Sequence, residues 1–369
     1  MIVYSRIIRY NESIKMVLIK GMLLSENMSH EESSDDSDRG GKMRKIIIDT
    51  DTGSDDAVAI MMCLREPSVE VVALTTVSGN VPVEQATLNC LMSAEIAVGA
   101  EHVPPVYVGA DRPLMRDRVH ARNVHGDDGM SDCGLIHPSV SPVEGVCACD
   151  AIIDLVRKYP DEIELAVIGP VTNVALAMMK EPDVMKHVKC IWTMGTTGLH
   201  GRGNTTPVSE FNVFADPEAY RIMMDFGVHV YVGGYDLCTS AAAWFDEDTE
   251  RLLASGKEAA SYAVRCNEKL AQFCLGIGGE RRIDLPDAVS LAPMLWEDVI
   301  TGSAKCVSHV CTEHNETYGQ VIFYDGGILS GMGPGFDGCY YGKKEPNCTV
   351  ITQVDNRLYK ERLEKLLTM

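Results

Sequence analysis

Several common protein classes are excluded by what the sequence does not contain. It has no Cys-x-x-Cys pair, so neither a zinc ribbon nor a thioredoxin-type redox centre is written into it. Its apolar runs fall well short of the roughly 18 residues of a membrane-spanning helix. Positive charge is scarce: 33 Lys and Arg face 53 Asp and Glu, a net charge of −20 that repels a polyphosphate backbone and attracts cations. No nucleic-acid partner and no membrane partner are therefore expected. Aromatic residues make up only 6% of the chain and tryptophans number three, so an argument from stacking has few residues to use. What remains is ordinary, since 46% hydrophobic and 23% charged residues over 369 positions suit a globular core. The 13 cysteines, an odd number scattered from Cys63 to Cys348, are distributed as reduced thiols are, which gives a cytoplasmic location as the expectation. Cys147 with Cys149, and Cys306 with His309 and Cys311, lack the second half of a zinc site and read as structural.

Near the N-terminus, Lys15 to Leu24 is apolar and follows Arg6 and Arg9. Lys20 splits it into two runs of four and no Ala-x-Ala-like site follows, so no signal peptide is expected. Ser25 to Gly41 is polar and acidic, and residues 1–43 read as a disordered leader to a folded domain over 44–369. From Lys45 the pattern becomes a short apolar run (Ile46, Ile47, Ile48), a polar break (Asp49 to Gly53) and an amphipathic stretch (Asp55 to Leu64), which is strand, loop and helix. The unit recurs at Val69 to Val77 with Val83 to Val98, at Ile163 to Ile168 with Val171 to Met179, and at Val188 to Met194 with Pro217 to Asp225. Val228 to Val232 begins another, and strands at 321–325 and 348–354 precede a closing helix. Continuous apolar strands alternating with helices predict a single-domain α/β fold: an open, mostly parallel, Rossmann-like sheet with helices on both faces.

In such sheets ligands bind beyond the carboxyl ends of the strands. The polar residues there are Asp49, Asp51, Asp55 and Asp56 after the first strand, Ser78, Gly79 and Asn80 after the second, Gly169 to Asn173 after the strand at 163–168, and Gly195 to Asn212 after the strand at 188–194. Four carboxylates within eight residues repel one another, and a helix N-terminus offsets only about 0.3–1 kcal/mol per acid. A hard divalent cation suits them better, and Ca²⁺ takes about six to eight oxygens. An EF-hand fails, because Gly53, Ser54 and Ile60 stand where that loop needs Asp or Asn, Gly and Glu. Two further readings stay open: a haloacid-dehalogenase-type Mg²⁺ phosphatase, whose later acidic pair would have to be Asp127 and Asp128, and helix-capping acids with no ligand.

The third reading is a resemblance. Asp49-Thr50-Asp51-Thr52-Gly53-Ser54-Asp55-Asp56-Ala57 is similar to the D-x-D-P-G-x-D-D-A signature of the inosine-uridine-type nucleoside hydrolases, with Thr52 where proline is usual. Thr75 to Asn80 resembles that family's T-T-V-x-G-N, His125 to Gly129 its H-G-x-D-G, and Ile168 to Asn173 its I-G-P-L-T-N. Gly203-Asn204 through Glu210-Phe211-Asn212 resembles its G-N…E-F-N segment. The resemblance spans residues 45–300 and implies the nucleoside hydrolase fold and hydrolysis of the N-glycosidic bond of ribonucleosides to ribose and free base. It also implies Ca²⁺ held by Asp51, Asp56, the backbone carbonyl of Thr172 and Asp287. Asp51 matches the family's general base, while Asp55, Asn80, Asn204, Glu210 and Asn212 match its ribose contacts, with Asp287 serving both metal and sugar. A homodimer or homotetramer is the family's usual assembly.

One departure bears on mechanism. Family members that protonate the leaving base with histidine carry it directly before the last Asp ligand, where this chain has Leu285-Pro286-Asp287. Proline donates no proton, and general acid help is worth about 10²–10⁴-fold. His125 is the substitute donor proposed from the sequence, ahead of His120, Arg281, Arg282 and Asp284 on matching loops, with Trp244 as a possible stacker. A catalytically weak relative that binds nucleoside or ribose without turnover is the alternative that the missing histidine favours.

Overall fold

In the computed structural model, which describes residues 43–238, 242–324 and 345–369, the Ile46-Ile47-Ile48 run lies inside a nine-stranded sheet. The leader expected over 1–43 falls outside the described residues, Met43 excepted, as does Asp325 of the expected late strand. The strands are β1 (Arg44–Thr50), β2 (Val69–Thr76), β3 (Val106–Val108), β4 (Ile163–Val167), β5 (Cys190–Met194), β6 (Val230–Gly233), β7 (Ile300–Val310), β8 (Val321–Tyr324) and β9 (Cys348–Val354), in the order β3-β2-β1-β4-β5-β6-β9-β7-β8. Every pairing from β3 across to β9 is parallel, and β7 runs antiparallel to both β9 and β8. The expected mostly parallel α/β architecture is what forms.

Side-chain alternation divides the core into two layers. Ile46 and Ile48 enter one, with helices α1 (Ser54–Arg65), α2 (Val83–Val98), α12 (Pro286–Leu295) and α13 (Asn356–Thr368). Ile47 enters the other, with α4 (Ala148–Lys158), α5 (Thr172–Lys180) and α8 (Pro217–Asp225). All three isoleucines are fully buried, each worth about 1.5–3 kcal/mol of hydrophobic transfer. A strand covered on both faces has no polar side to show, which is why it reads as an unbroken apolar run. The remaining helices are α3 (Arg122–His125), α6 (Pro182–Met185), α7 (Phe211–Ala215), α9 (Asp246–Ala254), α10 (Glu258–Cys266) and α11 (Glu268–Gly278). None of the described helices is long and apolar enough to cross a membrane.

Two strands were not anticipated from the sequence. β3 is three residues long and follows Pro104-Pro105, too short for periodicity to register. β7 alternates half-buried and exposed residues at its start, with Gly302, Ser303 and Lys305 breaking any apolar run, as an antiparallel strand with one open face does. At the centre, β1 sits between β2 and β4, so the chain leaves it towards β2 on one side and reaches β4 on the other. That reversal opens a crevice at the carboxyl ends of β1 and β4.

Candidate active site at the carboxyl rim

β1 ends in Asp49-Thr50, and α1 begins four residues later, so one tight segment brings Asp49, Asp51, Asp55 and Asp56 to the rim. Gly79 after β2 and Gly169 after β4 close on Asp51: a Cβ at Gly79 would lie 2.0 Å from Asp51 Oδ2, and one at Gly169 2.9 Å from Oδ1. The Asn80 amide N–H donates to Asp51 Oδ2 at 2.6 Å, while Asp51 Oδ1 is buried without a hydrogen-bond partner. Asp56 accepts from Thr50 Oγ1 (2.6 Å), the Gly53 amide (2.8 Å) and Asn80 Nδ2 (3.1 Å). Thr52, where the family signature has proline, uses the N–H that proline lacks, donating to Thr50 Oγ1 at 3.1 Å.

Asp287, in the first turn of α12, completes the cluster from the far end of the chain. Carboxylate oxygens of Asp55, Asp56 and Asp287 lie within 4.8 Å of one another. Asp51 stands next to this trio, close enough for its charge to act on Asp287 and for those of Asp56 and Asp55 to act on Asp51. Asp49 takes a different part: its Oδ1 accepts from Thr75 Oγ1 (2.5 Å) and Asn173 Nδ2 (2.8 Å), tying β1 to β2 and α5. Thr172 opens α5, with its hydroxyl donating to Asp216 at 2.7 Å.

Burial, then the neighbouring carboxylates, pushes Asp51 and Asp287 well above the ordinary range. Burial and then Asp55 raise Asp56 to about 7, and burial alone raises Asp49 to about 7 against its two side-chain hydrogen bonds. No Lys or Arg is among the described residues lining the adjoining cavity. Hard oxygens, Oδ1 atoms without a hydrogen-bond partner on both Asp51 and Asp55, and no Lys or Arg among those lining residues fit a divalent ion such as Ca²⁺.

The cavity measures about 400 Å³, within the usual range for small-molecule sites, and is lined by Asp55, Asn80, His125, Asn204, Glu210, Asn212 and Asp287 of the sequence-derived candidates. Asp51, Asp56 and Thr172 are buried and do not line it. Glu210 caps α7, its carboxylate accepting from the Asn212 and Val213 amides, and burial lifts it to about 7. Asn212 Nδ2 donates to the Ile168 carbonyl at 2.9 Å, linking the ends of β4 and β5, so neither residue belongs to an exposed loop. Asn204 is solvent-exposed. His125 Nδ1 lies 2.9 Å from Ser54 Oγ and 3.6 Å from Asp55 Oδ1; burial lowers its pKa and the Asp55 charge opposes that.

Pro286 lines the cavity where the family histidine would stand. Trp244 is a core residue, 2% exposed, with its backbone paired to Ile283, and does not line the cavity. Among the described residues, Phe211, Tyr235 and Phe273 do. Tyr235 was legible in principle, standing just past the carboxyl end of β6. Phe211 lay between two candidates, whereas nothing local marks Phe273 on α11. His120 and Asp284 also line the wall, His120 Nδ1 lying 2.8 Å from the Gly79 carbonyl and Asp284 paired with Arg282. Arg281 instead pairs with Asp246 and Glu268.

Comparison with known proteins agrees with this geometry. The chain is 39% identical over 194 residues to the pyrimidine-specific ribonucleoside hydrolase RihB of Escherichia coli, a match covering 53% of this chain and 60% of that protein. In structure it resembles a plant nucleoside hydrolase, PpNRh1, with a TM-score of 0.77 and 29% identity over 89% of this chain and 99% of that one. It also resembles a purine-preferring ribonucleoside hydrolase from Gardnerella vaginalis, with a TM-score of 0.76 and 25% identity over 88% and 98% of the two chains. The profile of the inosine-uridine preferring nucleoside hydrolases matches residues 46–361, which hold the acidic rim, the glycines that close on Asp51 and every residue of the cavity wall, and the chain belongs to that family.

Proposed function

We propose that this chain is a Ca²⁺-dependent ribonucleoside hydrolase that releases ribose and a free purine or pyrimidine base. The observation that carries the reading is the convergence of Asp55, Asp56 and Asp287 beside Asp51, buried and uncompensated, at the edge of a polar cavity. Asp51, Asp56, Asp287 and the Thr172 carbonyl would hold the ion, which when bound acidifies a water and orients a sugar diol. Asp51, with Oδ1 free of other partners, accepts the proton of the attacking water. Asp55, Asn80, Asn204, Glu210, Asn212 and Asp287 bind the ribose hydroxyls as positive charge develops on the sugar. His125 donates to the departing base in place of the histidine that Pro286 replaces; burial lowers its pKa, and the Asp55 carboxylate beside it opposes that effect.

The hydrolase unit is residues 44–369, acting on small nucleosides rather than nucleic acid, in the cytoplasm and as a homodimer or homotetramer. The free cysteines among the described residues support the reducing compartment, and the net charge of −20 the choice of substrate. Liquid chromatography of inosine, uridine, adenosine and guanosine incubated with the purified protein tests the activity. Base release that is lost with Asp51→Asn supports it. Saturable nucleoside binding without turnover would favour the alternative that Pro286 raises, a binding protein built on the same site.

A further inference from the structure

A pair of thiols stands apart from the rim. Cys147 occupies the extended N-cap position of α4 and Cys149 its first turn. Their sulfurs lie 2.9 Å apart, so less than about 1 Å of further approach reaches the 2.03–2.05 Å of a disulfide. Cys147 is solvent-exposed, the one described cysteine that is, whereas Cys149 is 8% exposed. Lys180, at the end of α5, pairs with Asp150 and is close enough to both sulfurs to feel their charge. Burial, then the neighbouring Cys147 sulfur, pushes the Cys149 thiol up to about 12. The third potential metal ligand, Asp150, is engaged by Lys180, which leaves two sulfurs, short of the four ligands of a structural zinc site.

We infer that Cys147 and Cys149 form a modification site: a dithiol that small disulfides of the glutathione class oxidise to an intramolecular disulfide. The Cys147 thiolate attacks one sulfur of the small disulfide, forming a mixed disulfide and expelling one thiolate, which takes up a proton. Cys149 then gives up its proton to solvent and attacks the Cys147 sulfur, expelling the second thiolate. Two protein thiols are oxidised and one small disulfide is reduced to two thiols. The exposed sulfur receives the reagent and the buried one resolves it.

The test incubates the full chain in glutathione buffers from fully reduced to fully oxidised, quenches with acid, alkylates, and maps the peptide containing residues 147–149 by mass spectrometry. In the oxidised buffer the wild-type peptide loses both alkylation sites together, is two hydrogens lighter and carries no glutathione; dithiothreitol restores both sites. Cys149→Ser traps glutathione on Cys147, at more than about tenfold the wild-type adduct level. Two sites that stay alkylatable throughout overturn the proposal. So does a stable glutathione adduct on the wild-type chain, or protection from alkylation that a chelator removes. The readout is independent of nucleoside hydrolysis.

Discussion

At the amino ends of β1 and β4, Glu164 is only 2% exposed, and Arg44 Nε and Lys189 Nζ each reach it at 2.9 Å. Burial works to raise its carboxyl, but the two cations outweigh burial and hold it below its ordinary value. At the carboxyl ends of the same two strands, Asp51, Asp56 and Asp287 are equally buried, have one another as neighbours, and are pushed up. The fold thus has the means to pair a buried carboxylate, and applies them to Glu164 but not to Asp51, Asp56 and Asp287. Charge that stability would have neutralised is left at the other end for a ligand to neutralise.

The largest effect that sharpens this contrast concerns the substrate. If the rim groups are spent on ribose hydroxyls, removing the 2′-hydroxyl leaves buried polar groups unpaired, and 2′-deoxyribonucleosides should react about 10⁴-fold more slowly in kcat/KM. Rates within tenfold of the ribosides would break it. Next, Asp51→Asn should lower turnover about 10²–10⁴-fold with an unchanged circular dichroism spectrum.

A third test uses pH. Glu210, Asp49 and Asp56 are raised to about 7 from ordinary values of 4.5, 3.8 and 3.8. Between the ordinary and raised values the folded chain binds more protons than the unfolded one, so stability falls as pH rises through that window. Thermal melts of chelator-treated protein should show a falling Tm between about pH 5 and 7, and calcium should restore more of it the higher the pH. A flat profile, or equal rescue at every pH, would count against the rim being uncompensated. The smallest effect belongs to the other end: Arg44→Ala leaves Lys189 on Glu164, so melts should show a loss of about 1 kcal/mol while kcat stays at the wild-type level.

Much of this was written in short segments. Ile46 to Gly53 states a strand and its polar end within eight residues, and the acids that follow announce themselves by their number. The glycines at 79 and 169 are visible as residues, but their reason, the close approach of two loops to Asp51, exists only in three dimensions. Asn173 reads as an ordinary helix start; that it donates to Asp49 and to the Thr76 carbonyl depends on strands far away in the chain. Glu210 and Asn212 could pass for a loop pair until burial shows them bracing β4 and β5. Phe273 and the Glu164 cluster leave no local trace, because a cavity wall and a long-range ion pair are properties of packing rather than of spacing.

Calorimetric titration of chelator-treated protein with calcium tests the uncompensated rim most directly. Stoichiometric binding that is weakened by Asp56→Asn and Asp287→Asn, together with hydrolysis that stops on chelation and returns with calcium, is the predicted result. Nucleoside hydrolysis that proceeds undiminished in a chain shown to bind no calcium would contradict it.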